Sequence, residues 1–340
     1  MVQWSEYVRA DGTLDGEKVW RREPLYQGMN GRYVERFYPE KTGPGYIFKP
    51  LTNGKNPERE AWIYRHVLDS FPPIYPRLLA SSEEGAGEAG WSIFEDLGPL
   101  RHEFRLELAL EVVKRMAWWH AFPETHWRGL GSSGPKPPIE QIAADVGSRR
   151  EEMVLLLKEA GLSLDPAVLD KLIYGFTEGT FLSTFRVLSH GDLHLGNYAK
   201  GANGRLYILD WEHAHLNSPF WDLYHLIDMS HPMFPKRLRR SEREKLLDYY
   251  IKQSVYHGRK WDGEEFIQGY CRYAALFSLW MLLLINGDLE RGDSVWPKGR
   301  LLAQWAETLA NLSGCLDRLS LDGGDVKEPS GRRRVVGGDI

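Results

Sequence analysis

The chain has little of several things that would otherwise dictate its class. Its 340 residues include only two cysteines, Cys271 and Cys315, with no metal-ligand spacing around them. That excludes a disulfide scaffold and fits a reducing compartment, with a cytoplasmic location as the expectation. Both thiols are read as small buried hydrophobes. Charge of one sign is also missing, since 43 Lys and Arg stand against 47 Asp and Glu for a formal net charge of -4. Such a balance predicts no general attraction to nucleic acid or to an anionic membrane. The longest apolar run, Tyr273 to Ile285, falls short of the roughly 20 residues that a bilayer span needs and is read as a buried core helix. The first twenty residues carry acids and no apolar stretch, so they are not expected to act as a signal peptide. No internal repeat is present. The triplet Arg291-Gly292-Asp293 matches a cell-adhesion string and is read as a surface turn.

The length exceeds the size at which single hydrophobic cores stop growing, which predicts two lobes. Between Leu25 and Leu51, short apolar and aromatic segments broken by Gly and Pro predict antiparallel strands joined by tight turns. A helix follows, with Asn56 as cap, Pro57 at its first position, acids at Glu58 and Glu60, and apolar residues at helical spacing through Leu68. Another extended segment, Trp91 to Phe94, runs into Glu95-Asp96-Leu97-Gly98-Pro99, and that Gly-Pro pair is the best lobe boundary in the sequence. Beyond it, periodic segments at Leu106 to His120, Ser148 to Phe185, and Glu242 to Leu319 predict a mainly helical second lobe. The Gly201-Ala202-Asn203-Gly204 stretch between two apolar runs predicts a β-hairpin. The last twenty residues lack an apolar period and read as a mobile tail.

The chemistry is concentrated in SHGDLHLGNYAKGANGRLYILDWE, from Ser189 to Glu212. Asp192 is followed five residues later by Asn197, and Asp210 stands at the end of the second hairpin strand. Phosphoryl transfer needs a carboxylate that positions and deprotonates the attacking hydroxyl, and oxygen ligands that hold magnesium against the phosphates. Asp192 suits the first task; Asn197 and Asp210 suit the second. The hairpin is expected to fold Asp210 back beside the loop. The pattern parallels the catalytic loop and second metal-binding Asp of protein kinases.

More specifically, HGDLHLGN followed by ILDWE resembles the aminoglycoside phosphotransferase and choline kinase-like family, and Pro219-Phe220-Trp221-Asp222-Leu223 extends the resemblance. It implies an α+β, protein-kinase-like fold of two lobes, with ATP and magnesium as cofactors and a small hydroxylated molecule as acceptor. The division expected is a nucleotide-binding lobe over residues 1–96, a helical lobe over 97–320 and a tail over 321–340. In this reading Asp192 is the catalytic base, and Asn197 and Asp210 hold the metal. Asp222 and His190 brace the loop. Lys49, in YIFKP, is placed on a third strand against the α- and β-phosphates, with Glu60 on the next helix as its ion-pair partner. The backbones of Glu95 and Leu97 would meet the adenine edge. Gly28-Met29-Asn30-Gly31 lacks the GxGxxG string, so Gly28 and Gly31 serve equally as a phosphate-covering loop or a plain hairpin turn. Glu212, with Asp222 and Asp228 downstream, is a candidate contact for a cationic acceptor.

Two other readings use the same residues. His190, Asp192, His194, Asp210, Glu212, His213 and His215 form a string that a zinc hydrolase could use, although it leaves Lys49 and Glu60 without roles. Alternatively the fold is kept and catalysis lost, which the intact Lys49, Asp192, Asn197 and Asp210 argue against. Oligomeric state and nucleotide preference do not follow from the sequence.

Overall fold

A computed structural model describes residues 3–28, 31–51, 58–83, 85–179, 185–292 and 294–321. Asn56, Pro57, Asp293 and the expected tail beyond 321 lie outside these residues, as do Met29 and Asn30.

The alternating aromatic segments near the N-terminus form an antiparallel five-stranded sheet: β1 (Arg21–Gln27), β2 (Tyr33–Tyr38), β3 (Tyr46–Pro50), β4 (Leu78–Ser81) and β5 (Trp91–Glu95), in the order β1-β2-β3-β5-β4. Register pairs Glu35 with Phe48 and Lys49 with Ser92. Because side chains alternate across a strand, Phe48 and Lys49 face opposite ways. Phe48 joins Leu14, Val19, Phe37 and Ile93 in a small core on one face. Lys49 turns to the other face, where helix α1 (Arg59–His66) packs. β4 had no distinct signal in the sequence, being a short run among prolines.

The second lobe is built on α2 (Leu106–His120), whose buried Leu108, Val112, Val113, Met116 and Trp119 follow helical spacing. The periodic region expected to be helical from Ser148 to Phe185 holds more than one helix among the described residues. It divides into α4 (Arg150–Glu159) and α5 (Pro166–Thr177), after α3 (Ile139–Ser148). The break has a local cause: Gly161 takes a positive φ of 76°, and Asp165 caps the new helix by accepting from Ala167 N at 2.8 Å, with Pro166 at the first position. The region after Glu242 likewise divides, into α7 (Arg240–Tyr256), α8 (Gly263–Arg291) and α9 (Lys298–Leu321). Gly292, at φ 71°, ends α8 in the left-handed region, as helix C-termini often do. At 29 residues α8 is long and apolar enough to cross a membrane by length and composition. Yet Tyr273, Ala274, Leu276, Phe277, Leu279 and Leu282 on it are buried in the large core shared with α2, α3 and α6 (Pro219–Ile227).

Two short pairings sit between the lobes. β6 (Val187–Ser189) pairs with β9 (His215–Asn217), and β7 (Tyr198–Lys200) pairs with β8 (Leu206–Ile208) across the expected hairpin. Ile208 N donates to Ile74 O of the first lobe at 2.6 Å, and Arg59 Nη2 reaches Ala214 O of the second at 2.7 Å. These bonds tie α1 and the loop before β4 to the second lobe.

Candidate active site

The loop after β6 is the centre of the site, and it is held from below. Asp222, fully buried on the first turn of α6, accepts from Ser189 Oγ (2.6 Å), His190 N (2.8 Å), Gly191 N (3.2 Å) and His120 Nε2 (3.3 Å). Burial alone would disfavour its charge. The donors from His120, His190 and Ser189 outweigh that cost and hold the carboxyl well below the usual carboxylate range. Gly191 sits at φ 91°, and a Cβ there would come within 2.1 Å of His213 O, so only glycine fits. His190 donates from Nε2 to Leu209 O at 2.8 Å and accepts at Nδ1 from Asp192 N at 3.3 Å. One imidazole therefore ties the Asp192 loop to the residue before Asp210.

Asp192, Asn197 and Asp210 converge as their spacing suggested. Asn197 Nδ2 donates to Asp192 O at 2.7 Å, which leaves its Oδ1 free to act as a hard ligand, while Asn197 O accepts from Leu209 N at 2.8 Å. The backbone bond places Asp210 beside Asn197. Asp210 itself has φ 60° and ψ 60°, the one non-glycine residue with positive φ among the described residues.

Above them, Lys49 Nζ lies 3.0 Å from Glu60 Oε1, 2.7 Å from Asp210 Oδ1 and 3.5 Å from Glu212 Oε2. Burial would depress the lysine, but Asp210, Glu60 and Glu212 prevail and hold it well above its ordinary pKa. Glu60 is pushed up to about 7, by burial first and only partly relieved by Lys49. One ammonium thus faces three carboxylates in a partly dry setting, an imbalance that a divalent cation bound by oxygen ligands would correct. Asn197 and Asp210 are the residues that could hold one, and their hard oxygens would suit magnesium. The zinc reading has no matching geometry: among the described residues no three His, Cys, Asp or Glu side chains are grouped to hold a metal ion.

The remaining expected residues divide. Glu95 ends β5 with its carboxylate bonded to Arg77 N (2.9 Å) and Arg77 Nε (3.0 Å), and Leu97 follows in the connection to α2. That connection is pinned by Arg36 of β2, whose Nε lies 2.6 Å from Asp96 Oδ2. Gly28 and Gly31 belong to the β1–β2 turn, where Gly28 N donates to Arg32 O (2.8 Å) and Gly31 N to Gly28 O (2.9 Å). The amides of Gly28 and Gly31 are thus engaged within a hairpin turn, whose central Met29 and Asn30 lie outside the described residues.

The acidic trio proposed for a cationic acceptor does not line a common wall. Asp222 lies beneath the loop, and Asp228 is fully buried against Arg243 Nε (2.9 Å) and Tyr270 OH (2.6 Å). Glu212 faces Lys49 and His213 on the nucleotide side. Asp222 and Asp228 are thus paired away from any acceptor, and of the three only Glu212 stands near Lys49 and Asp210. Sequence reasoning missed two neighbours of Asp192: Lys136 Nζ at 3.1 Å from Oδ1, and His225 Nε2 at 3.8 Å from the same oxygen.

A small antiparallel lobe over a helical lobe, with a strand lysine, a helix glutamate and an Asp-Asn-Asp constellation at their junction, defines the protein-kinase-like fold. Within that class, residues 162–261 match the Ecdysteroid kinase-like family. No curated protein sequence matches the chain. Among solved structures the chain is similar to choline kinase LicA from Streptococcus pneumoniae, at 18% identity and TM-score 0.54 over 87% of this chain and 94% of that one. It is similar to spectinomycin phosphotransferase APH(9)-Ia, solved with ADP and spectinomycin, at 13% identity and TM-score 0.57 over 88% and 94%. An aminoglycoside phosphotransferase from Alicyclobacillus acidocaldarius aligns at 12% identity and TM-score 0.53 over 94% and 97%. The likeness runs through both lobes.

Proposed function

We propose that the chain is an enzyme that uses ATP and magnesium to phosphorylate a hydroxyl group of a small molecule. The observation that carries this reading is the Lys49 ammonium bonded to both Glu60 and Asp210, with Asp192 and Asn197 on the loop alongside. Lys49 would contact the α- and β-phosphates, and Glu60 and Glu212 would position it. Magnesium bound by Asn197 and Asp210 would neutralise phosphate charge. Asp192 would orient the acceptor hydroxyl and take its proton as the oxygen attacks. The adenine is assigned to the connection at Glu95 to Leu97, which we take as the boundary between a lobe ending near 96 and a helical lobe to about 320.

The acceptor class is open on this scaffold, because relatives of one fold act on different molecules. The matched family is named for ecdysteroids and the structural neighbours for choline and aminoglycosides. The test is magnesium-dependent ADP release across a panel holding ecdysteroids, amino-alcohols, aminoglycosides, neutral sugars and hydroxy acids. Turnover with at least one acceptor, absent in Asp192→Asn, is expected. Release without any acceptor dependence, or metal-independent hydrolysis, would overturn the reading.

A further inference from the structure

Lys136 has no part in the roles assigned so far, yet it is the ammonium beside the base. It lies on the segment entering α3, a stretch of Gly, Ser and Pro that is anchored at several points. Leu216 N of β9 donates to Gly131 O at 2.9 Å, and Gly134 lies so close to the His215 ring that a Cβ would come within 2.6 Å of it. Ile139, the first residue of α3, is buried in the main core. Between these anchors Lys136 reaches inward, with Nζ 3.1 Å from Asp192 Oδ1 and 3.2 Å from His225 Nε2.

The histidine is arranged to receive it. His225 Nδ1 is 2.7 Å from Trp221 O and must donate there, which leaves Nε2 bare as an acceptor. Burial, and then Lys136 itself, push His225 down to about 3, so the ring stays neutral and competes for no charge. His194 is not a rival cation. Its Nδ1 accepts from Gly196 N at 3.0 Å and its ring stacks on His231 with centroids 4.4 Å apart, so its remaining N–H points to Asp192 Oδ2 at 3.5 Å. Asp192 and His225 thus occupy two of the three ammonium protons of Lys136, and the third is free for an oxygen that arrives between them.

We propose that Lys136 is a catalytic residue, whose ammonium binds the transferred phosphoryl group from the acceptor side while Lys49 holds the nucleotide side. This rests on the phosphotransferase reading above. An acceptor oxygen within hydrogen-bond reach of Asp192 must approach phosphorus to roughly 3–3.5 Å, so the equatorial oxygens pass within a few ångströms of an amine already touching the base. In the step, the acceptor O–H proton moves to Asp192, the acceptor O–P bond forms, and the bond from the γ-phosphorus to the bridging oxygen breaks. Its electron pair leaves on ADP. Lys136 keeps its proton throughout and offsets charge on the phosphoryl oxygens.

The test compares wild type with Lys136→Gln and Lys136→Met by turnover and by calorimetric binding of MgADP with and without aluminium fluoride in the presence of acceptor. Removing one such donor is expected to lower kcat roughly 100- to 1,000-fold. MgADP should bind as in wild type, while the tightening produced by aluminium fluoride is lost. Either variant keeping kcat within two-fold of wild type would overturn the proposal, as would undiminished tightening by aluminium fluoride in a slowed variant, since that marks Lys136 as a mere tether. If wild type itself releases no ADP with any acceptor, the parent reading fails instead, and the two failures are distinguishable.

Discussion

The two halves of the site are stabilised in opposite ways. Around Lys49 the side chains come from β3, α1 and the turn after β8, and they meet as charges that do not balance. Under Asp192 the loop is gripped by a single buried carboxylate, Asp222, whose bonds to Ser189, His190, Gly191 and His120 are all made. The first arrangement is left unbalanced, as the proposed binding of a cation and phosphates would require. The second is finished before any ligand arrives. Electrostatic preorganisation at the reacting oxygen needs a rigid platform, whereas nucleotide binding tolerates charges that relax on binding.

The sharpest way to probe this contrast is to remove a group from each half. Asp192→Asn should lower kcat by roughly 100- to 10,000-fold in steady-state assays, with MgATP binding within about two-fold of wild type in a calorimeter. A variant with more than half of wild-type turnover would remove Asp192 from the role of base. Asp222→Ala should act on the fold first. Leaving the donors of Ser189, His190, Gly191 and His120 unsatisfied in a buried site should cost about 3 kcal/mol or more in denaturant unfolding, with activity lost in parallel. If stability were unchanged, the platform would not depend on that carboxylate.

Effects on the nucleotide side should be smaller and coupled. Lys49→Ala and Glu60→Ala should each raise KM for ATP, the glutamate more mildly, and the double variant should fall short of the summed losses by about 0.5–3 kcal/mol. Strict additivity would dissolve the pair. The smallest effect concerns pH. Glu60 is raised to about 7, above the value it has in an unfolded chain, so the folded state binds more protons between about pH 4.5 and 7. Its contribution to stability is therefore fully present at low pH and lost as pH rises through that window. Glu60→Gln lacks this dependence. Without nucleotide or metal, the melting temperature of Glu60→Gln relative to wild type should rise from pH 5 to pH 8, and a falling difference would contradict the sign.

Much of this site was legible because its parts are close in sequence. Ser189 to Asp210 encodes loop, hairpin and metal ligands at fixed spacing, and Lys49 and Glu60 are separated by eleven positions. Lys136 was not legible, since its partner is 56 residues away and its surroundings, GSSGPKPP, read as an ordinary loop. His120 lies 102 residues from Asp222 and shows only a helix end in sequence. The reading of Asp228 as an acid beside the cleft fails for a different reason. Acidity is visible in a sequence but burial of an acid is not, because it depends on partners such as Arg243 and Tyr270 brought in from α7 and α8. The helical character after Ser148 was legible in the apolar period, while the division into α4 and α5 is set by local signals at Gly161 and Asp165-Pro166.

The left-handed backbone at Asp210 sets folding against function at a single position. A non-glycine residue there carries a conformational cost of order 1–3 kcal/mol, and glycine would adopt φ 60° without it. The side chain that the turn disfavours is the one that Lys49 and the metal site require. Selection for stability alone would drive position 210 toward glycine, and every such change would disarm the site while leaving the turn more comfortable. A carboxylate at this turn is therefore a sign of use, and under the proposed phosphotransferase reading its replacement by glycine is the change by which a copy of this chain would become a scaffold that no longer transfers phosphate.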